Sequence, residues 1–180
     1  MDWQALFTSV EANGLSVWMR ESSSLLAFPT VIALHAIGMG FLVGASVAMD
    51  LRVLGFAPRI PMRALEMLFP NMVFGFVVNA ASGILLLLAY PTKAMTNPVF
   101  YAKLLLITGA LAVAAAMRKR IINDASREND EPRERAEESS TRRDRMLAYS
   151  SLAMWAAAIV AGRFLAYTYK YLTAYELGMK

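Results

Sequence analysis

Residues 25–49 read LLAFPTVIALHAIGMGFLVGASVAM, 25 consecutive positions without an acid, a lysine or an arginine. At ~1.5 Å rise per residue such a helix reaches about 37 Å, more than the ~30 Å of hydrocarbon in a bilayer. One residue within it is ionisable: His35, the only histidine in the chain. An ionisable ring at that depth is costly unless it is partnered or faces a cavity, which makes it a functional candidate.

Working outward, three more windows have the same character. Residues 24–49, 72–90, 99–117 and 147–166 are the predicted spans, and they hold most of the apolar residues of a 180-residue chain that is 57% hydrophobic, with mean hydropathy +0.43. The runs are continuous and show no strand-like alternation. Helices, which satisfy their own backbone in lipid, are therefore expected, and a β-barrel is not. The fold class is all-α: an integral membrane, antiparallel four-transmembrane-helix bundle. The first window follows residues that include Asp2, Glu11 and Glu21 and has no basic leader. It does not read as a cleavable signal peptide, so the chain is expected to begin at or near Met1.

Arginines set the expected orientation. Arg52, Arg59 and Arg63 lie in the first connection. Arg118, Lys119, Arg120, Arg127, Arg133, Arg135, Arg142, Arg143 and Arg145 lie in the third, so twelve of the eighteen basic residues fall on one face. The positive-inside rule assigns that face to the cytoplasm and both termini to the periplasm of a bacterial inner membrane. The +4 net charge thus reports topology and gives no reason to expect nucleic acid. Zero cysteines exclude disulfides, thiolate metal sites and iron–sulfur clusters.

Residues 1–23 are expected to lie at the outer interface. Trp3, Leu6, Phe7 and Val10 recur at helical spacing, Gly14 serves as a stop and Trp18 as an interfacial anchor. The first connection, broken by Gly55, Pro58 and Pro61, leads to an amphipathic piece over residues 62–69. Pro70 suits the first turn of the second span. Asp50 and Arg52 read as boundary markers that neutralise each other or neighbouring arginines. Residues 118–146 form a charged cytoplasmic loop, or an extension of the third helix broken near Pro132.

Small residues predict the packing. Ala36, Gly40, Gly44 and Ala48 recur every four residues on the first span, and the Gly40–Gly44 pair predicts a helix-contact face that would also serve as a homo-oligomer seam. Gly75, Asn79 and Gly83 repeat the device on the second span, as do Ala158, Gly162 and Ala166 on the fourth. Counted from the window ends, His35 and Asn79 fall near the midplane, while Lys103 and Arg163 lie toward the outer ends. These two either snorkel or turn inward to hold an anion. The candidate ligand-binding residues are therefore His35, Asn79, Lys103 and Arg163, and the candidate ligands are a haem with propionates, a quinone-like head group or an acidic solute. His35 and Met39, one turn apart, offer imidazole and thioether to Cu(I). Against this stands a plain helix contact of His35 with Asn79, Ser46 or Ser82, and the ordinary use of Met as packing filler.

The strings Leu34-His35-Ala36-Ile37-Gly38, Gly44, Asp50-Leu51-Arg52-Val53-Leu54-Gly55 and Gly162-Arg163-Phe164-Leu165-Ala166-Tyr167 together resemble an uncharacterised family of small four-helix bacterial inner-membrane proteins. More distantly they are similar to copper-resistance D and cytochrome b561-type membrane domains. That likeness implies helix-borne histidines for haem b or metal and a membrane redox partner. A single histidine departs from two-histidine ligation within one protomer. Haem would then need two copies of His35 across a Gly40–Gly44 dimer, Met72 or Met154 as second axial ligand, or five-coordinate iron on His35 alone.

No carboxylate falls inside a span beside His35, and no metal-hydrolase spacing or phosphate loop is present, so no catalytic residue is assigned. The expected function is a non-catalytic accessory or ligand-binding bundle. The alternatives are a haem b-binding electron carrier and a small-solute or copper permease.

Overall fold

A computed structural model describes residues 3–128 and 142–176. Every regular element among them is helical, and four helices are long and apolar enough to cross a membrane. In chain order the elements are α1 (Trp3–Glu11), α2 (Gly14–Glu21), α3 (Phe28–Val53), α4 (Met62–Glu66), α5 (Leu68–Ala89), α6 (Pro91–Met95), α7 (Pro98–Glu128) and α8 (Arg142–Glu176). The spans are α3, α5, α7 and α8.

The bundle is two antiparallel pairs, α3 with α5 and α7 with α8, joined by contact between α3 and α8. Although consecutive, α5 and α7 are not packed along each other. They are the least enclosed of the four spans. At one end α6 bridges them, and at the other α4 packs against both. The side of the bundle between α5 and α7 is thus closed above and below and open between.

Gly14 does not stop a helix. α1 ends at Glu11, and Asn13 caps α2 by accepting the Leu15 N–H at 3.0 Å. α2 docks on the end of α5. The Ser16 hydroxyl donates to Leu88 O at 2.8 Å, and Arg20 Nη1 donates to Ala89 O at 2.9 Å. These are carbonyls that a helix C-terminus otherwise leaves unpaired, and a cation there also suits the helix dipole. Met19 completes the joint by packing with Val31 and Ala89. Trp18 remains exposed, as an interfacial anchor requires.

α3 begins later than the apolar run. Leu25 and Leu26 lie outside it and are exposed, and Pro29 occupies its first turn. His35 is therefore seven residues, about 10 Å, from that end of α3. At the opposite end α4 and the start of α5 cover the residues 62–69 that read as amphipathic, and Pro70 sits in the first turn of α5. Arg118 lies over the Phe69 ring at 5.3 Å. α7 continues through residue 128, so the start of the charged segment is a helical extension of the third span. Pro132, the expected break, lies outside the described residues.

The packing seam differs from the expected one. Gly40 and Gly44 have no heavy atom within 4 Å of where a Cβ would stand, and Ala36 and Ala48 are exposed as well. Among the described residues that stripe faces outward from the protomer. The close approach is between Gly38 and Gly75: a Cβ on Gly38 would lie 2.6 Å from Asn79 N, and one on Gly75 would lie 2.5 Å from Leu42 N. The other glycines of the spans seat side chains instead of backbones. Gly83 makes room for the His35 ring, Gly109 for Met154 and Gly162 for Lys103.

Candidate functional site

His35 points at α5. Its Nδ1 lies 3.1 Å from Asn79 O and 3.1 Å from Ser82 Oγ. A carbonyl can only accept, so Nδ1 carries the proton that donates to Asn79 O. The Ser82 hydroxyl donates to Val78 O at 2.6 Å, which leaves its oxygen as an acceptor too. Asn79 returns the contact by donating Nδ2–H to His35 O at 2.8 Å. The expected partners Asn79 and Ser82 are therefore found. Ser46 is not among them, because its oxygen accepts from Trp155 Nε1 at 2.9 Å, far along α3.

This clamp fixes the ring. With the proton on Nδ1, a neutral imidazole presents its lone pair at Nε2, as metal- and ligand-binding histidines do when a backbone carbonyl orients them. Gly83 lets the ring sit close, since a Cβ there would stand 3.3 Å from Cε1. Because His35 is the only histidine, ¹⁵N spectroscopy of histidine-labelled protein reads it without assignment. We expect the Nδ1–H tautomer in the wild type. Gly83→Ala should shift both ring resonances by displacing the ring from Asn79 O. An Nε2–H tautomer in the wild type would contradict the clamp.

Lys103 is a half-buried cation on α7. It lies five residues into α7. Its side chain turns inward across α8, with Nζ 3.6 Å from where a Cβ of Gly162 would stand. Of the two readings for this residue, inward turning is the one observed. Arg163, next to that glycine, is exposed and points off the bundle, so it does not join the group. His35, Asn79 and Ser82 come together beside Gly83, while Lys103 lies against Gly162 of α8.

Met39 is half-buried one turn along α3, but the ring's contacts run to α5 and not along its own helix. Among the described residues no three of His, Asp or Glu cluster to hold a metal. Two-ligand haem binding does not fit either. Met72 and Met154 pack around Leu42, Ala110 and Trp155, and Leu42 is seven residues, about 10 Å, further along α3 than His35. Gly44 is nine residues from His35, which at ~100° each is about half a turn away around α3. A dimer through Gly40 and Gly44 would hold the two imidazoles on the outsides of the pair.

The Leu42–Ala110–Trp155 cluster draws on all four spans and floors the site. His35 contacts α5 and Lys103 contacts α8, both on the α6 side of that cluster. These features define a multi-pass helical membrane protein with one polar site near one end of its bundle. No family model, curated protein or solved structure matches the chain.

Proposed function

We propose that this is a non-catalytic ligand-binding protein of the bacterial inner membrane, with both termini in the periplasm, that takes an amphiphile from the outer leaflet between α5 and α7. The observation that carries this reading is a carbonyl-clamped imidazole, presenting Nε2, in a bundle whose α5 and α7 are not packed along each other, with a half-buried lysine on α7 lying against Gly162. Lys103 supplies charge-assisted hydrogen bonds to an anionic or carbonyl head, and Nε2 accepts from a hydroxyl on the same head. The apolar tail stays in lipid or lies along the faces of α5 and α7. Among the described residues no acid is hydrogen-bonded to the imidazole to form a nucleophilic or hydrolytic arrangement. The basic third connection favours this orientation through the positive-inside rule.

The second reading, five-coordinate haem on His35, is favoured by the same Nδ1 contact, the usual one behind a metal-bound imidazole. One preparation separates the two. The protein is purified in mild detergent beside His35→Ala and Lys103→Ala, its oxidised and reduced visible spectra are recorded, and its bound small molecules are identified by native mass spectrometry. We expect a colourless protein carrying one amphiphile, with affinity about tenfold weaker in Lys103→Ala, as loss of one charge-assisted bond implies. A stoichiometric Soret band lost in His35→Ala selects haem. A colourless protein that retains no amphiphile in either leaflet-lipid mixture or detergent overturns the leading reading.

A further inference from the structure

The opposite, basic end of the bundle sorts its charges by direction. Val53 of α3, Met117 of α7 and Ala148 of α8 form the last buried layer there. Of the acids whose side chains are described at this end, Asp50 and Asp144 are buried and Glu66 is half-buried. Arg59, Arg118, Lys119, Arg142, Arg143 and Arg145 are all exposed. Asp50 lies against Ser151 of α8 instead of pairing with Arg52, whose Nε donates to Ile60 O at 2.6 Å and ties down the first connection. The surface that this end offers to lipid headgroups is therefore cationic.

Arg118 differs from the other bases in what it spans. It belongs to α7, yet its guanidinium lies over the Phe69 ring of α5 at 5.3 Å, so it crosses the side of the bundle where those two spans are not packed along each other. Among the described residues no acid pairs with it. Cation–π attraction holds the guanidinium in place and leaves its N–H donors free for a two-pronged contact with a phosphate. Lys119 follows as a second exposed cation. From Arg118 the open side continues toward α6 as an apolar groove. Met72 of α5 and Leu111 of α7 pack on the Leu42–Ala110–Trp155 cluster and form its back. Val73 and Phe76 extend the Phe69 stripe at four and seven residues along α5, and both are exposed. A restrained cation at the mouth of an apolar groove matches a lipid in both its parts, an anionic headgroup on Arg118 and an acyl chain along Val73 and Phe76. Free phosphate or a soluble acidic protein would use the cation and leave the groove empty.

We infer that Arg118 seats the phosphate of an anionic phospholipid drawn from the leaflet at the basic end, with an acyl chain lying between α5 and α7. The experiment titrates the purified full chain, in a neutral detergent, with phosphatidylglycerol or with phosphatidylcholine of the same acyl chains. Bound lipid is counted by native mass spectrometry and the thermal midpoint is followed in parallel. Phosphatidylglycerol is expected to be retained at concentrations where phosphatidylcholine is not, with a saturable rise in the midpoint. Arg118→Gln should weaken this binding about tenfold, as loss of one charge-assisted contact implies. Arg143→Gln removes the same charge at the same end, but from α8, which packs on α3 and α7, and should leave the binding unchanged. The preference for phosphatidylglycerol should also persist in His35→Ala and Lys103→Ala, which separates this lipid from the amphiphile of the other end. Equal retention of the two lipids by the wild type, equal losses in Arg118→Gln and Arg143→Gln, or a midpoint raised as far by inorganic phosphate as by phosphatidylglycerol, overturns the inference.

Discussion

Gly38→Ala is expected to lower the thermal midpoint in detergent by about 10 °C, the size of an overpacking cost of about 3 kcal/mol in a chain of this length. The reason is the neighbour the new methyl meets. It would stand 2.6 Å from Asn79 N and 3.0 Å from Gly75 O, both backbone atoms of a packed helix, so α3 and α5 must move apart along their whole contact. That movement also pulls Asn79 from His35 O and the imidazole from Asn79 O. Gly75→Ala should do the same from the other side, its methyl standing 2.5 Å from Leu42 N. Lipid tails are as apolar as side chains and offer no compensating drive to close the gap. Gly40→Ala and Gly44→Ala are the controls. Both positions are open, and their thermal midpoints should stay within about a degree of wild type, in line with other substitutions that disturb no contact. Equal tolerance at Gly38 and Gly40 would mean that the α3–α5 seam is misplaced.

Trp155→Ala should cost still more, about 3–5 kcal/mol in reversible unfolding, as for other buried aromatic truncations. The indole is 2% exposed and lies in the cluster with Leu42 and Ala110, where all four spans meet. Its loss would leave a cavity in that cluster and remove the Trp155–Ser46 hydrogen bond across the α3–α8 joint. Trp155→Phe keeps most of the volume and loses only the donor, so it should cost about 1 kcal/mol. Ser46 can then turn its hydroxyl to a carbonyl of its own helix. If the two variants unfold alike, the hydrogen bond and not the packing dominates the joint.

Those contrasts also show what could be read from the residues alone. The four spans were legible because about 20 apolar residues in a row leave the backbone few choices. His35, Asn79 and Lys103 were legible as polar residues placed where polarity is costly. The seam was not. Gly38 has leucine four residues away on each side, so it belongs to no small-residue repeat, and the repeat that does exist faces outward. Which face of a helix meets a neighbour depends on the rotation of both helices, and a single-helix pattern holds no record of that rotation. Arg163, read as either snorkelling or inward-turned, is exposed for a related reason. One step of ~100° separates it from Gly162, and that step carries it off the face where Lys103 lies. Asp50 and Ser151 are 101 positions apart, and Asp50 near a helix end looks like any boundary acid. The available hint was the matched four-residue spacing of Ser46 with Asp50 and of Ser151 with Trp155. The break between α1 and α2 was signalled by Asn13 beside Gly14, a cap followed by a new helix and not a terminator.

The clasp between α2 and α5 imposes an order on synthesis. Ser16 and Arg20 leave the ribosome early, but the carbonyls they bind belong to residues 72 and 69 positions later. Until α5 has been threaded through the bilayer, the N-terminal arm has nothing to hold, and once it has, the last turn of α5 waits for donors that only the arm supplies. Insertion of the first helical hairpin therefore comes before the arm closes. A fusion partner that tethers residues 1–21 away from that end would stall maturation at a definite stage, with the hairpin inserted and its tip unlatched.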